Sequence, residues 1–199
     1  MSINLKKGQK VDLTKGNSGI SKLMVGLGWD AVASPAGGGI FKKKAADIDC
    51  DASVLMINTD GKLKGMENVI YFGNLKSRCG SVVHTGDNRT GDGNGDDEQI
   101  LIDLSKVSQD VDKLIFVVNI YDCIKRNQDF GQIQNAYIRI VNSTDNAELL
   151  KYNLSESYAG KTSLITGEIY RHNNEWKFSA IGEGTNEGSL TGLIEKYRK

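Results

Sequence analysis

Carboxylates alternate with glycines in the segment 86–98, GDNRTGDGNGDDE. From Gly86 to Asp103 there are six acidic residues and one Arg, a local charge of −6 + 1 = −5. Such a loop can fold its oxygens inward, and Ca²⁺ takes roughly six to eight oxygen ligands. The opening resembles an EF-hand loop, but Asp97 stands where that loop needs Gly and Asp103 replaces its Glu. The segment therefore predicts a different kind of calcium loop, with a solvated surface loop as the alternative.

A second acidic cluster lies in the segment 47–53, DIDCDAS. Its acidic residues are Asp47, Asp49 and Asp51. On a strand these side chains share one face at a spacing of about 6.5–7 Å, while the apolar alternates face the core. The arrangement is tolerable if the carboxylates are solvated, and it is favoured if a cation bridges them.

Two further carboxylates stand at the ends of predicted strands. Asp30 follows Trp29 and points to the opposite side, where it can join the other acids or cap a turn. Asp122 ends the most apolar strand, so either a metal ion or a basic side chain is a suitable partner.

The elements that must position these residues are mostly strands. Short runs rich in β-branched and aromatic residues recur between turn signals, and each predicts a strand: 23–29, 53–58, 68–75, 99–104, 113–121, 135–141, 163–171 and 175–182. In 23–29 and 135–141 the apolar residues alternate, as they do in a half-buried strand. The chain has 23 Gly and one Pro, which indicates many tight turns. Helical patterns are confined to 107–114 and 189–199. We predict an all-β fold, an antiparallel β-sandwich with short helical turns and a C-terminal helix. Residues 1–199 form one domain in this prediction, with 34–46 as an inserted loop.

Composition excludes several function classes. Equal numbers of acidic and basic residues, 25 each, argue against a nucleic-acid partner, and two His leave little for a zinc or haem site. No run reaches the ~18 apolar residues of a membrane helix, and the N-terminus lacks a signal-peptide core, so a cytoplasmic location is expected. Three distant Cys do not make a disulfide framework. No nucleophile and base can be paired, and Ca²⁺ activates water poorly, so we expect no enzyme.

Several motifs in order resemble the TerD-type proteins, which are associated with tellurite resistance and general stress response in bacteria. The resemblance runs over nearly the whole chain. Its motifs are VGLGWDA (25–31), DIDCDAS (47–53), SVVHTGDNRTGDGNGDDE (81–98), VDKLIFVVNIYD (111–122) and FGQIQNAYIRIVN (130–142).

The resemblance implies a β-sandwich that binds Ca²⁺, usually two ions, through loops at one end. The ligand positions that it implies are Asp30, Asp47, Asp49, Asp51, Asp87, Asn88, Asp96, Asp97, Glu98 and Asp122. It implies a non-enzymatic stress-response protein that acts through other stress-response or tellurite-resistance proteins, including a peripheral membrane-associated complex. A cyclic AMP-binding module is the alternative function.

Overall fold

A computed structural model describes residues 2–16, 19–31, 48–86 and 95–198. The strands are β1 (Ile3–Leu5), β2 (Lys10–Asp12), β3 (Lys22–Ala31), β4 (Cys50–Asn58), β5 (Val69–Ile70), β6 (Val82–His84), β7 (Glu98–Asp103), β8 (Val111–Ile120), β9 (Ile133–Asn142), β10 (Ala147–Asn153), β11 (Ser163–His172) and β12 (Glu175–Thr185). The helices are α1 (Cys123–Arg126) and α2 (Leu190–Arg198), with 3-10 turns at Met66–Asn68, Leu104–Lys106 and Phe130–Gln132. The predicted β-sandwich with short helical turns and a C-terminal helix is confirmed.

The described strands form two sheets. Sheet A has the order β1-β10-β9-β3-β7-β6, and sheet B has the order β2-β12-β11-β8-β4-β5. The pairing of β1 with β10 is parallel, and the other strand pairs recorded in the described residues are antiparallel. The predicted insertion at 34–46 lies outside the described residues.

The main core lies between the sheets and follows the alternation of the sequence. Leu23, Val25 and Leu27 point inward from β3, and Ile138 and Ile140 point inward from β9. The alternation predicted for both strands is therefore confirmed, and it leaves the intervening residues on the outer face of sheet A.

A second, smaller core lies under α2 on the outer face of sheet B. Leu193 and Ile194 of the helix pack with Leu55 and Ile57 of β4. Full burial of such a side chain is worth about 1.5–3 kcal/mol. Because the other sheet covers one face of β4 and α2 covers the other, the strand is buried along its whole length.

Two local predictions differ from the structure. The helical pattern at 107–114 is wrong, because β8 begins at Val111 and pairs with β4 and β11 there. The strand predicted at 68–75 is reduced to Val69–Ile70. In both places pairing with distant strands decides the backbone, and local propensity does not. Within the described residues, neither helix has the length and hydrophobicity needed to cross a membrane.

Candidate metal centre

The strand register brings several acidic segments to one end of the sandwich. Leu27 near the end of β3 lies opposite Glu98 at the start of β7. In sheet B, Cys50 at the start of β4 lies opposite Ile120 at the end of β8. The Glu98 carboxylate joins the two sheets, since its Oε2 accepts a 2.5 Å hydrogen bond from the Ala52 amide. We call this region, where β3, β6 and β8 end and β4 and β7 begin, the acidic end.

Seven of the ten predicted ligands fall within the described residues. They are Asp30, Asp49, Asp51, Asp96, Asp97, Glu98 and Asp122. The other three, Asp47, Asp87 and Asn88, lie outside them. Across 2–16, 19–31, 48–86 and 95–198, no three His, Cys, Asp or Glu side chains are grouped closely enough to hold a metal ion.

Asp96 lies against the outer face of sheet A, and its side chain is 0% exposed. Its carboxylate accepts hydrogen bonds from Arg139 Nε and Nη2 at 2.7 and 2.9 Å, from Tyr137 Oη at 3.0 Å and from Gln99 Nε2 at 3.1 Å. The carboxylate comes so close to β3 that a Cβ on Gly26 would collide with it. Asp96 therefore anchors the end of the acidic loop to the sheet.

The same contacts set the protonation of the groups around this carboxylate. Hydrogen bonding to Asp96 raises the pKa of the Arg139 guanidinium above its ordinary value. Burial, together with the Asp96 charge, raises the pKa of the Tyr137 phenol. Both groups thus keep their protons and remain donors to Asp96 at neutral pH.

Asp97 ties the same loop end to β3. Its Oδ2 accepts a 2.7 Å hydrogen bond from the Trp29 amide, and its own amide donates to the Leu27 carbonyl at 2.8 Å. This side chain is only partly buried. Asp97 is therefore both a fixed point of the backbone and a carboxylate that reaches the surface of the acidic end.

A buried His–Glu contact lies beneath the acidic loop. His84 Nε2 is 3.4 Å from Glu98 Oε2, and the two side chains are 0% and 1% exposed. The Gly86 amide donates to His84 Nδ1 at 3.1 Å, so the proton of the neutral ring belongs on Nε2, facing Glu98. His84 thus connects both ends of the loop to the sandwich.

The Asp49–Asp51 pair lies at the start of β4. Ile48, Cys50 and Ala52 face the main core as predicted, so the carboxylates are directed to the other side. Asp49 is partly exposed, and Asp51 is 5% exposed. Burial raises the pKa of the Cys50 thiol well above its ordinary value, and the surrounding carboxylates raise it further. Cys50 therefore stays a neutral thiol beside these carboxylates.

Asp30 and Asp122 lie at the rim. Asp30 is exposed and accepts a 2.8 Å hydrogen bond from Asn135 Nδ2. Asp122 follows the end of β8 in a left-handed conformation, with φ 53°, and its carboxylate is 3.6 Å from Lys125 Nζ. Of the two partners predicted for Asp122, the basic side chain is thus observed, and its metal role stays a prediction.

The residues that sequence reasoning missed are those that hold the carboxylates. His84 had no recognisable motif, and its contact with Glu98 depends on the pairing of β6 with β7. A signal did exist for Tyr137 and Arg139, because they alternate with the apolar residues of β9 and so share the outer face.

The family model for the TerD domain matches residues 1–197 of this chain. The stress response protein SCP2 of Bacillus subtilis is 63% identical over 201 residues, covering 99% of this chain and 100% of that protein. The tellurium resistance protein TerD of Serratia marcescens is 44% identical, covering 99% and 97%. A crystal structure of a TerD homologue from Streptomyces coelicolor A3(2) shares the fold, with a TM-score of 0.65 and 19% identity over 87% of this chain and 98% of that one. The chain therefore belongs to the TerD family.

Proposed function

We propose that this protein is a calcium-binding stress-response protein that works without catalysis, by presenting a Ca²⁺-ordered surface to protein partners. The observation that carries the proposal is the convergence of separate acidic segments at the acidic end. The end of β3, the start of β4 and the 95–98 loop end each bring carboxylates there, joined by the Glu98–Ala52 hydrogen bond. The names of the relatives SCP2 and TerD support the assignment to stress response and tellurium resistance.

The donor set suits calcium. Carboxylate oxygens are hard ligands, and the candidate ligands include no thiol or imidazole, which zinc or copper would favour. Alternate residues of a strand, such as Asp49 and Asp51, are roughly 7 Å apart, and two carboxylates at that spacing repel each other by about 2.4 kcal/mol at an effective dielectric constant of 20. A divalent cation replaces that repulsion with attraction to both groups.

The contacts of each carboxylate distinguish the one that anchors the loop from those that we propose as calcium ligands. Asp96 already has four hydrogen bonds from protein groups, so we assign it to anchoring the loop. Asp30, Asp49, Asp51 and Asp97 are the described residues that we propose as ligands. The predicted ligand roles of Asp47, Asp87, Asn88, Glu98 and Asp122 stay predictions.

The residues of the chain prepare this end for an ion and for a partner. His84, Asp96 and Glu98 fix the described residues at both ends of the acidic loop to the strands, so the sandwich already positions the carboxylates at its 95–98 end. Calcium supplies the positive charge that lets the carboxylates approach. The ordered surface would then contact other stress-response proteins in the cytoplasm, including a peripheral membrane-associated complex.

Thermal melting in chelator and in about 1 mM Ca²⁺ tests the proposal, because this concentration is about a hundredfold above the Kd of a ~10 μM site, the weak end of the range of calcium sensors. A ligand at a hundredfold excess over its Kd stabilises the native state by about 2.7 kcal/mol. For a chain of this size the expected rise in Tm is about 5–10 °C. An unchanged Tm at saturating Ca²⁺ would contradict the proposal.

Two substitutions and a control locate the effect. Asp49→Asn and Asp97→Asn should each reduce the rise in Tm, because each removes a charged ligand. Asp145→Asn lies in the exposed turn between β9 and β10 and should leave the rise unchanged. Equilibrium dialysis with cyclic AMP, with and without Ca²⁺, tests the alternative function in the same protein.

A further inference from the structure

A cavity of about 340 Å³ opens on the outer face of sheet B, between the start of α2, the end of β8 and the segment 66–72. Its apolar walls are formed by Met66, Tyr71, Phe72, Leu190 and Ile194. The volume lies within the ~300–1,000 Å³ range of small-molecule sites. Phe72 is 46% exposed and Met66 is 41% exposed, so the wall is accessible from solvent.

The floor of the cavity is polar and presents an unused acceptor. Asn119 on β8 and Asp51 on β4 lie directly opposite each other and line the cavity. Asn119 is 5% exposed, and its Oδ1 has no hydrogen-bond donor among the described residues. A buried amide oxygen without a donor is unfavourable, so a bound N–H group at this position gains a hydrogen bond.

The segment 187–189 lies beside the cavity and is held in place by β11. Ser163 of β11 lies opposite Asn119 of β8 in the sheet, and the Ser163 hydroxyl donates to the Glu187 carbonyl at 2.8 Å. Thr162 donates to the same carbonyl at 2.9 Å. The segment 187–189 is therefore tied to β11 beside Asn119, and the cavity is a feature of the folded sandwich.

The charges and rings of the cavity favour a cation. Its described lining includes the carboxylates of Asp51 and Asp122 and no Lys, Arg or His. Just outside it, Lys125 is 3.6 Å from Asp122, and Arg126 stacks on Tyr121 and lies 3.7 Å from Asp49. The wall rings Tyr71 and Phe72 stand edge to face with centroids 5.2 Å apart, and aromatic rings attract ammonium and guanidinium groups.

We propose that this cavity binds an ammonium or guanidinium group on an apolar stem. The head donates to Asn119 Oδ1 beside the Asp51 carboxylate, and the stem packs against Phe72 and Leu190. The ligand is either a small amine or an Arg or Lys side chain of a protein partner, which share this chemistry. The site shares Asp51 with the proposed calcium ligands, but it goes beyond the proposed function, because the Asn119 acceptor and the apolar wall belong to it alone and none of its contacts requires calcium.

Calorimetric titration of the full chain in chelator tests this site apart from calcium binding. The probes are phenethylamine, its neutral counterpart phenethyl alcohol, and a blocked arginine, N-acetyl-argininamide. At least one cationic probe should bind saturably and about tenfold more tightly than the alcohol, which lacks the charge. Tighter binding of the blocked arginine points to a partner side chain, and tighter binding of phenethylamine points to a small amine.

Substitutions then test whether the cationic probes bind in this cavity. Phe72→Ala removes an exposed wall residue and should weaken cation binding about tenfold, and Asp51→Asn should abolish the preference over the alcohol. Leu101→Ala removes an apolar side chain of similar exposure, 42%, from sheet A and should change nothing. Absence of saturable binding by both cationic probes, or undiminished binding in Phe72→Ala, would overturn the proposal.

Discussion

Replacing Arg139 with Gln removes the positive charge that faces the fully buried carboxylate of Asp96. Two of the four hydrogen bonds to that carboxylate come from Arg139, at 2.7 and 2.9 Å. Removing one partner of a buried ion pair costs about 3–5 kcal/mol, because the other charge stays buried and uncompensated. Since the Arg139 side chain is 29% exposed, we expect the lower end, about 3 kcal/mol.

Urea unfolding at neutral pH measures this loss as a lower midpoint with an unchanged slope. The same loss should lower Tm by about 6–12 °C. Arg78→Gln, in an exposed turn, is the matched control and should leave the midpoint unchanged. A double variant that adds Asp96→Asn should recover part of the stability, because no buried charge is then left unpaired.

A loss below about 1 kcal/mol for Arg139→Gln would refute the anchoring role of Asp96, since that is the size of an exposed ion pair. The comparison in Ca²⁺ also separates anchor from ligand. If Asp96 is an anchor, saturating Ca²⁺ should leave the difference between wild type and variant unchanged. If Asp96 is a ligand instead, the ion should offset much of the loss.

Three further outcomes follow from local geometry. Gly26→Ala should reduce the free energy of unfolding, measured in urea, by about 1–3 kcal/mol, because its Cβ would collide with the anchored Asp96 carboxylate. Gly19→Ala is the control and should be near neutral, since there is open space around Gly19. Equal effects of the two substitutions would contradict the close approach. Burial raises the pKa of Tyr197 to about 12, so the folded state holds this proton more tightly than the unfolded chain and stability should fall as pH rises from about 10 to about 12. Tyr197→Phe should make that fall in the free energy of unfolding, measured in urea, less steep. A pH dependence equal to that of the wild type would contradict this. Partial burial raises the pKa of the Cys79 thiol, but hydrogen bonds with two serine hydroxyls outweigh this effect and leave the pKa lowered. Iodoacetamide should therefore label Cys79 before the buried Cys50. Equal labelling rates in mass spectrometry would contradict this order.

The sandwich could be predicted because its long strands carry their burial pattern in the sequence. The alternation of β3 and β9 identified the residues that face the main core, and the amphipathic 189–199 segment identified α2. The strands β6 and β10 were not predicted as strands, since each is short or only weakly apolar and depends on its neighbours for hydrogen bonds. Turn chemistry alone does not show which distant strand will pair with a segment.

The candidate site could be predicted only in part. Acidic residues at strand ends predicted a candidate cation site, which stays a prediction, and the register brings those strand ends together. The contacts of individual carboxylates could not be predicted, because Arg139 is 43 residues from Asp96 and the two meet only through the β3–β9 pairing. The burial of Asp51 likewise depends on its place on the covered outer face of β4.

Isothermal titration of Ca²⁺ into chelator-stripped protein measures most directly whether the acidic end binds calcium. We expect saturable binding of about two ions per chain, the number that the TerD resemblance implies, with dissociation constants typical of protein calcium sites. The curve should weaken in Asp97→Asn and persist in Asp145→Asn. A flat titration of the wild-type protein would contradict calcium binding, and with it the proposed function.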